Sequence, residues 1–144
     1  MAKRESGFTL IEAMIAIVIL VFGLVAIAQL FVVASRSNVT ARQATATADA
    51  SSEVMDMLMA RPYDDLSEGG GVADTDMTPG TAPTGYSQVK DVPGVGRVLT
   101  CWRITSPSTN VLAIHVRSQV VGLMSGLSRA EFVTVRTRTA PPAS

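Results

Sequence analysis

The chain has 144 residues, 47% of them hydrophobic, with 12 basic side chains against 12 acidic ones. Zero formal net charge removes bulk attraction to nucleic acid, and a single cysteine excludes an intrachain disulfide. Once the apolar segment near the N-terminus is set aside, about 110 residues remain, enough for one small folded unit with one core.

In chain order, a polar leader over residues 1–7 comes first, followed by an apolar segment over 8–34 whose only polar side chains are Thr9, Glu12 and Gln29. As a helix this segment runs about 40 Å, longer than a hydrocarbon core of about 30 Å. Lys3 and Arg4 precede it and Arg36 follows, so the positive-inside rule puts the N-terminus in the cytoplasm and the remainder outside. A cleaved secretory signal fits poorly: the apolar run is too long, and Val32-Val33-Ala34-Ser35 is a weak cleavage site. An ordinary single-pass anchor fits the hydropathy but leaves Gly7 and Glu12 unexplained, because an intramembrane carboxylate costs about 2.5 to 3.5 kcal/mol or more.

The stretch Lys3-Arg4-Glu5-Ser6-Gly7-Phe8-Thr9-Leu10-Ile11-Glu12 closely resembles the leader and cleavage motif of type IV pilins and type II secretion pseudopilins. The resemblance implies that a prepilin peptidase cuts between Gly7 and Phe8, that Phe8 is then N-methylated, and that residues 8–34 remain as a transmembrane and assembly helix. It also implies that Glu12 meets the amino-terminal ammonium of a neighbouring subunit, Phe8 here, which would offset the buried charge. Glycine suits the implied cut, since a missing side chain leaves the backbone accessible. Independently of the family, a carboxylate in the first helical turn gains about 0.3 to 1 kcal/mol from the macrodipole.

The second helix half is expected over 35–61. No proline precedes Pro62, the composition favours helix, and Ala44, Ala48, Ser51, Met55 and Leu58 recur at spacings of four and three. One continuous helix from Phe8 to about Ala60 is therefore predicted, ended by Arg61-Pro62. Residues 62–96 are rich in Gly, Pro and Asp and read as a loop, mobile from Tyr63 to Gly85. Asp64, Asp65, Asp74 and Asp76 offer oxygen atoms there, but without the ordered spacing of a calcium loop.

Over 97–144, three segments alternate with period two: 97–105, 111–121 and 130–139. Short connections favour an antiparallel meander. Its predicted core joins Met55 and Leu58 to Trp102, Ile104, Leu112, Ile114, Val133 and Val135, with the arginine positions turned outward. The expected fold is thus α+β, a long N-terminal helix against a small antiparallel sheet, as in the type IV pilin fold. The Trp102 strand, Val111–Val116, Phe132–Thr139 and the helix end Leu58–Leu66 also resemble PilV-type minor pilins. The absence of a helix proline and of a C-terminal disulfide departs from many major pilins.

Charge is segregated along the chain. Residues 43–89 hold eight acidic side chains against Arg61 alone, and residues 90–144 hold seven basic ones against Asp91 and Glu131. This reads as two faces balanced within one subunit, as attraction between stacked subunits, or as a weak anionic ligand patch. Cys101 is expected to be buried, and His115, with no partner cluster, to be an ordinary strand residue. No phosphate loop, nucleophile elbow or paired-carboxylate motif occurs. No enzymatic activity, cofactor or metal is therefore expected. The expected partners are other pilin subunits, prepilin peptidase and inner-membrane assembly machinery. The function expected from the resemblance is that of a minor pilin, with a type II secretion pseudopilin as the alternative and a DNA-binding competence pilin as a further one.

Overall fold

The computed structural model describes residues 9–122 and 128–138. It divides between Asn38 and Val39 into two compact units. The element order is α1 (Leu10–Ala60), a 3₁₀ turn (Tyr63–Asp65), β1 (Gly69–Gly70), β2 (Ser87–Val92), β3 (Gly96–Ser108), β4 (Val111–Val120) and β5 (Arg129–Thr137). The long N-terminal apolar helix and the small antiparallel sheet are those expected. Phe8, the predicted first helical residue, lies outside the described residues.

From Leu10 to Asn38 the chain is helix alone. The helix Leu10–Ala60 is long and, near the N-terminus, apolar enough to cross a membrane, and every residue from 9 to 42 is exposed. The large apolar side chains exposed from Leu10 to Val33 form a patch of the kind that marks a protein or membrane contact.

From Val39 onward the same helix becomes one layer and the sheet the other. All strand pairs are antiparallel, in the order β1-β3-β4-β5, with β2 on the same edge of β3 as β1. The helix face that is buried comprises Gln43, Ala46, Thr47, Ala50, Ser51, Val54 and Leu58. This corrects the predicted stripe. Ser51 and Leu58 belong to it, but Ala44 is exposed and Ala48 and Met55 are only half-buried.

Two clusters fill the space between helix and sheet. Val54 and Leu58 pack with Leu66, Trp102, Ile104, Leu112, Ile114 and Val116. Closer to Val39, Ala46 and Ala50 pack with Val98 and Val120. The small side chains here leave room for a polar seam, in which Ser51 meets Ser118 and Ser118 meets Thr100. Thr47 turns its hydroxyl back onto the carbonyls of Gln43 and Ala44, so its burial leaves nothing unpaired.

Residues 62–96 are not loop throughout. Ser87–Val92 forms β2, paired with β3 from Ser87↔Cys101 to Val92↔Gly96. The connection Pro93-Gly94-Val95 is a tight turn closed by Val95 N–H donating to the Val92 carbonyl at 3.1 Å. Gly94 has φ +77°, the positive value that a turn with proline at its second position demands at its third. Gly70 is equally constrained, since a Cβ there would lie 2.1 Å from the Trp102 carbonyl oxygen.

Residues 71–82, expected to be mobile, are fastened over the sheet face that looks away from the helix. Met77 is buried there with Leu99 and Cys101. This cover explains why five consecutive residues of β3, Val98 to Trp102, are buried, where a sheet covered on one side alone would alternate. At the opposite edge the predicted core is wrong about β5. Val133 is 57% exposed and Val135 is 59% exposed, because Phe132 and Thr134, not the valines, share the face of Val116 and Ile114.

Candidate functional site

The first described turn begins at Thr9. Its carbonyl accepts from the N–H groups of Glu12 and Ala13 at 3.1 and 3.2 Å, and its hydroxyl oxygen accepts from Glu12 N–H at 3.4 Å. Thr9-Leu10-Ile11-Glu12 therefore has the Thr-x-x-Glu pattern of a capping box, in which a threonine caps the helix and a glutamate stands three residues in. The sequence reading missed this, although the spacing alone carries it. Glu12 thus has a structural position at the helix start as well as the role expected from the resemblance. Its side chain is exposed, available to a group outside this subunit. Gly7 and Phe8, the expected cleavage and methylation residues, lie outside the described residues.

The segregated charges meet within the folded unit. Lys90 of β2 pairs with Glu53 on the helix, Arg117 of β4 with Asp74, and Arg138 with Asp64 at 2.8 Å. Each pair joins the basic second half of the chain to its acidic first half. Balance within one subunit is therefore the arrangement observed for these side chains.

Arg117 departs from the expectation that the strand arginines turn to solvent. Its guanidinium is nearly buried and donates to the Val72 carbonyl at 2.9 Å and to the Asp74 carboxylate, while its Nε has no partner. Together with Gln119, which donates to the Met77 carbonyl at 2.6 Å, it holds residues 71–82 onto the sheet. Asp76 accepts from Ala73 N–H at 2.9 Å and so shapes the same segment. Arg136 of β5 donates to the Arg61 carbonyl at 2.5 Å. That places a cation at the C-terminal end of α1, whose own last turn has none, where the macrodipole favours one. Arg138 also lies 5.7 Å from the centre of the Tyr63 ring, so β5 is tied to the segment that follows the helix.

Cys101 is fully buried, as expected. Burial, with a smaller contribution from the Asp76 carboxylate, pushes its thiol up to about 11 against the opposing effect of Arg117. A thiol in that environment is inert as a nucleophile at neutral pH. His115 is half-buried and paired in register with Arg103 and Val133. Among the described residues no three His, Cys, Asp or Glu side chains are grouped to hold a metal ion.

Residues 2–28 match the family model of the prokaryotic N-terminal methylation motif. No curated protein and no solved structure matches the chain. The match covers Gly7, Phe8 and Glu12 and the first part of the apolar helix, and does not extend to the folded unit. The chain therefore carries a prepilin-type methylation motif at its N-terminus.

Proposed function

We propose that this protein is a minor pilin, a structural subunit inserted in the inner membrane by residues 8–34 with its N-terminus in the cytoplasm. Prepilin peptidase removes residues 1–7 by cutting after Gly7, Phe8 becomes the methylated N-terminus, and Glu12 guides entry into a type IV pilus fibre or its tip. Membrane assembly machinery and other pilin subunits are its partners. The observation that carries this reading is the methylation motif over residues 2–28, running into a helix whose apolar side chains the subunit itself leaves exposed. A PilV-type position within the fibre draws support from the Trp102 strand and the Leu58–Leu66 helix end.

The same motif serves a type II secretion pseudopilin, and the lone buried Cys101 suits either assembly. A competence pilin that binds DNA is less favoured. It requires arginines free to follow phosphates, whereas Arg117, Arg136 and Arg138 are engaged inside the subunit.

The test is intact mass of the protein from cells that contain prepilin peptidase. Loss of Met1 to Gly7 with one added methyl on Phe8 is expected, and a mature protein that keeps its leader would sink the reading. Recovery in sheared surface fibres supports the pilus, and recovery in a periplasmic pseudopilus the secretion assembly.

A further inference from the structure

Both ends of the segment that covers the outer sheet face are pinned to one place on β3. Trp102 N–H donates to the Tyr86 carbonyl at 2.9 Å. At the other end β1 pairs Gly70 with Arg103, so tightly that a Cβ on Gly70 would lie 2.1 Å from the Trp102 carbonyl oxygen and 2.9 Å from Tyr86 Cβ. The chain thus leaves the sheet and returns to it at the same point, as a closed surface loop does. We propose that residues 71–82 form a flap that opens as a unit over Leu99 and Cys101, with Arg117 as a latch that exchanges Asp74 on the flap for Glu131 on β5.

Lifting the flap breaks no strand pairing. Its backbone bonds are local and travel with it: Asp76 N–H to the Ala73 carbonyl at 3.0 Å, Thr81 N–H to the Thr78 carbonyl at 3.1 Å, and Ala73 N–H to the Asp76 carboxylate at 2.9 Å. What fastens it is a short set of other contacts. Met77 is buried with Leu99 and Cys101, a cluster separate from the two between helix and sheet. Gln119 and the Cys101 thiol donate to the Met77 and Asp76 carbonyls at 2.6 and 3.5 Å, and Arg117 holds the Val72 carbonyl and Asp74. A segment with one small buried cluster and no ladder of its own opens at less cost than the whole fold.

Arg117 is the part of this fastening with an alternative. Its side chain is only 10% exposed, whereas that of its partner Asp74 is 80% exposed, and its Nε has no partner in the closed arrangement. Glu131, an exposed residue, stands opposite Arg117 in register and so on the same sheet face. Arg138 N–H donates to the Asn110 carbonyl, so along β5 the bonded positions are Arg136, Thr134 and Phe132. Glu131 falls between them, in the kind of pair whose side chains lie closest. One cation faced by a carboxylate on the flap and another on a fixed strand has two arrangements, closed and open. Opening joins the surface of Leu99 and Cys101 to the uncovered part of the same face, where Val133 and Val135 are exposed. The latch therefore sets how much apolar surface the folded unit presents.

The experiment follows reaction of the full chain in detergent micelles with a charged maleimide, for which Cys101 is the only thiol. Labelling is expected in native buffer, at a rate that urea below the unfolding transition barely changes, because opening the flap exposes little surface. Asp74→Asn is expected to speed labelling severalfold and Glu131→Gln to slow it, with the fluorescence of Trp102, the single tryptophan, unchanged. Gln119→Ala, which releases the Met77 carbonyl, is expected to speed it as well and serves as the second variant should Asp74→Asn alter the fluorescence. Labelling that rises with urea on the full slope of global unfolding, in the parent and in both fast variants, overturns the flap. An unchanged rate in Asp74→Asn overturns Arg117 as its latch, and an unchanged rate in Glu131→Gln overturns Glu131 as the second partner.

Discussion

Ser51 on the helix donates its hydroxyl proton to Ser118 on β4 at 2.7 Å, and both side chains are fully buried. Thr100 on β3 stands 2.7 Å from the same Ser118 oxygen, so one hydroxyl joins the helix to two strands. The small residues around this seam let helix and sheet approach closely, and the hydroxyls set how the helix sits along the sheet. Replacing Ser118 by Ala leaves two buried hydroxyls without their shared partner. A loss of about 1 to 3 kcal/mol is expected, larger than for Ser51→Ala, which leaves Ser118 paired with Thr100. Denaturant melts of a chain starting near Ser37 check the order, and equal losses would show that Ser118 is not the shared centre.

Trp102 and the β5 valines make a second contrast. Trp102 is 6% exposed, packed with Leu58 and Ile114, and its ring lies 6.4 Å from that of Tyr86. Trp102→Ala is expected to cost about 3 to 5 kcal/mol. Val133→Thr and Val135→Thr, on the open face, are expected to stay within about 0.5 kcal/mol of the parent. A loss for either valine comparable to that for Trp102 would mean that this face is covered.

That contrast also shows what the sequence made legible. The helix was readable almost to the residue because nothing between Leu10 and Ala60 breaks it and Pro62 stops the chain just beyond. Period-two alternation placed β3, β4 and β5 correctly, but alternation does not tell which face meets the helix. In β5 the more apolar face is the open one, since β5 lies at the sheet edge and its Phe132 and Thr134 face the helix side. The buried helix stripe was displaced because it is built from Ala, Ser, Thr and Gln, whose hydrophobic contrast with their neighbours is small. β2 was hidden by composition: Ser87–Val92 contains one strongly apolar pair of positions, and the informative signal was the Val-Pro-Gly-Val turn beside it. The cover over Leu99 and Cys101 depends on Arg117 and Gln119 gripping backbone carbonyls, which no periodicity reports. Of the candidate site, the motif that carries the expectations for Gly7, Phe8 and Glu12 is legible in the sequence, and the Thr9 cap is carried by the Thr-x-x-Glu spacing alone.

Cys101 gives the folded unit a definite alkaline behaviour. Its folded-state value of about 11 exceeds the ordinary 9.0, so between these values the unfolded chain loses a thiol proton that the folded chain keeps. Unfolding then releases a proton, and stability falls as pH rises through this window by at most about 1.4 kcal/mol per unit. Below the window the full contribution is present. The difference in stability between the parent and Cys101→Ala, followed across that range, isolates this effect from other alkaline titrations. A difference that does not change with pH would mean that the thiol is solvated.

Glu12 stands at the meeting of two demands, the capping pattern with Thr9 and the cost of a carboxylate in the membrane. If it pairs with the methylated ammonium of Phe8 in a neighbouring subunit, Glu12→Ala leaves membrane insertion and leader cleavage intact while lowering incorporation into fibres. Insertion can improve, because an intramembrane charge has been removed. A glutamate that only turns back to the headgroups predicts unchanged incorporation, so normal fibre content by immunoblot of sheared pili or purified pseudopili would refute the pairing. Glu12→Ala also disturbs the helix start, which Glu12→Gln does not, since glutamine serves a capping box as well as glutamate. Glu12→Gln therefore isolates the charge. A defect as deep as that of alanine assigns the coupling to charge, an intermediate one divides it between charge and hydrogen bond, and a normal fibre content for glutamine alone assigns the alanine defect to the lost cap.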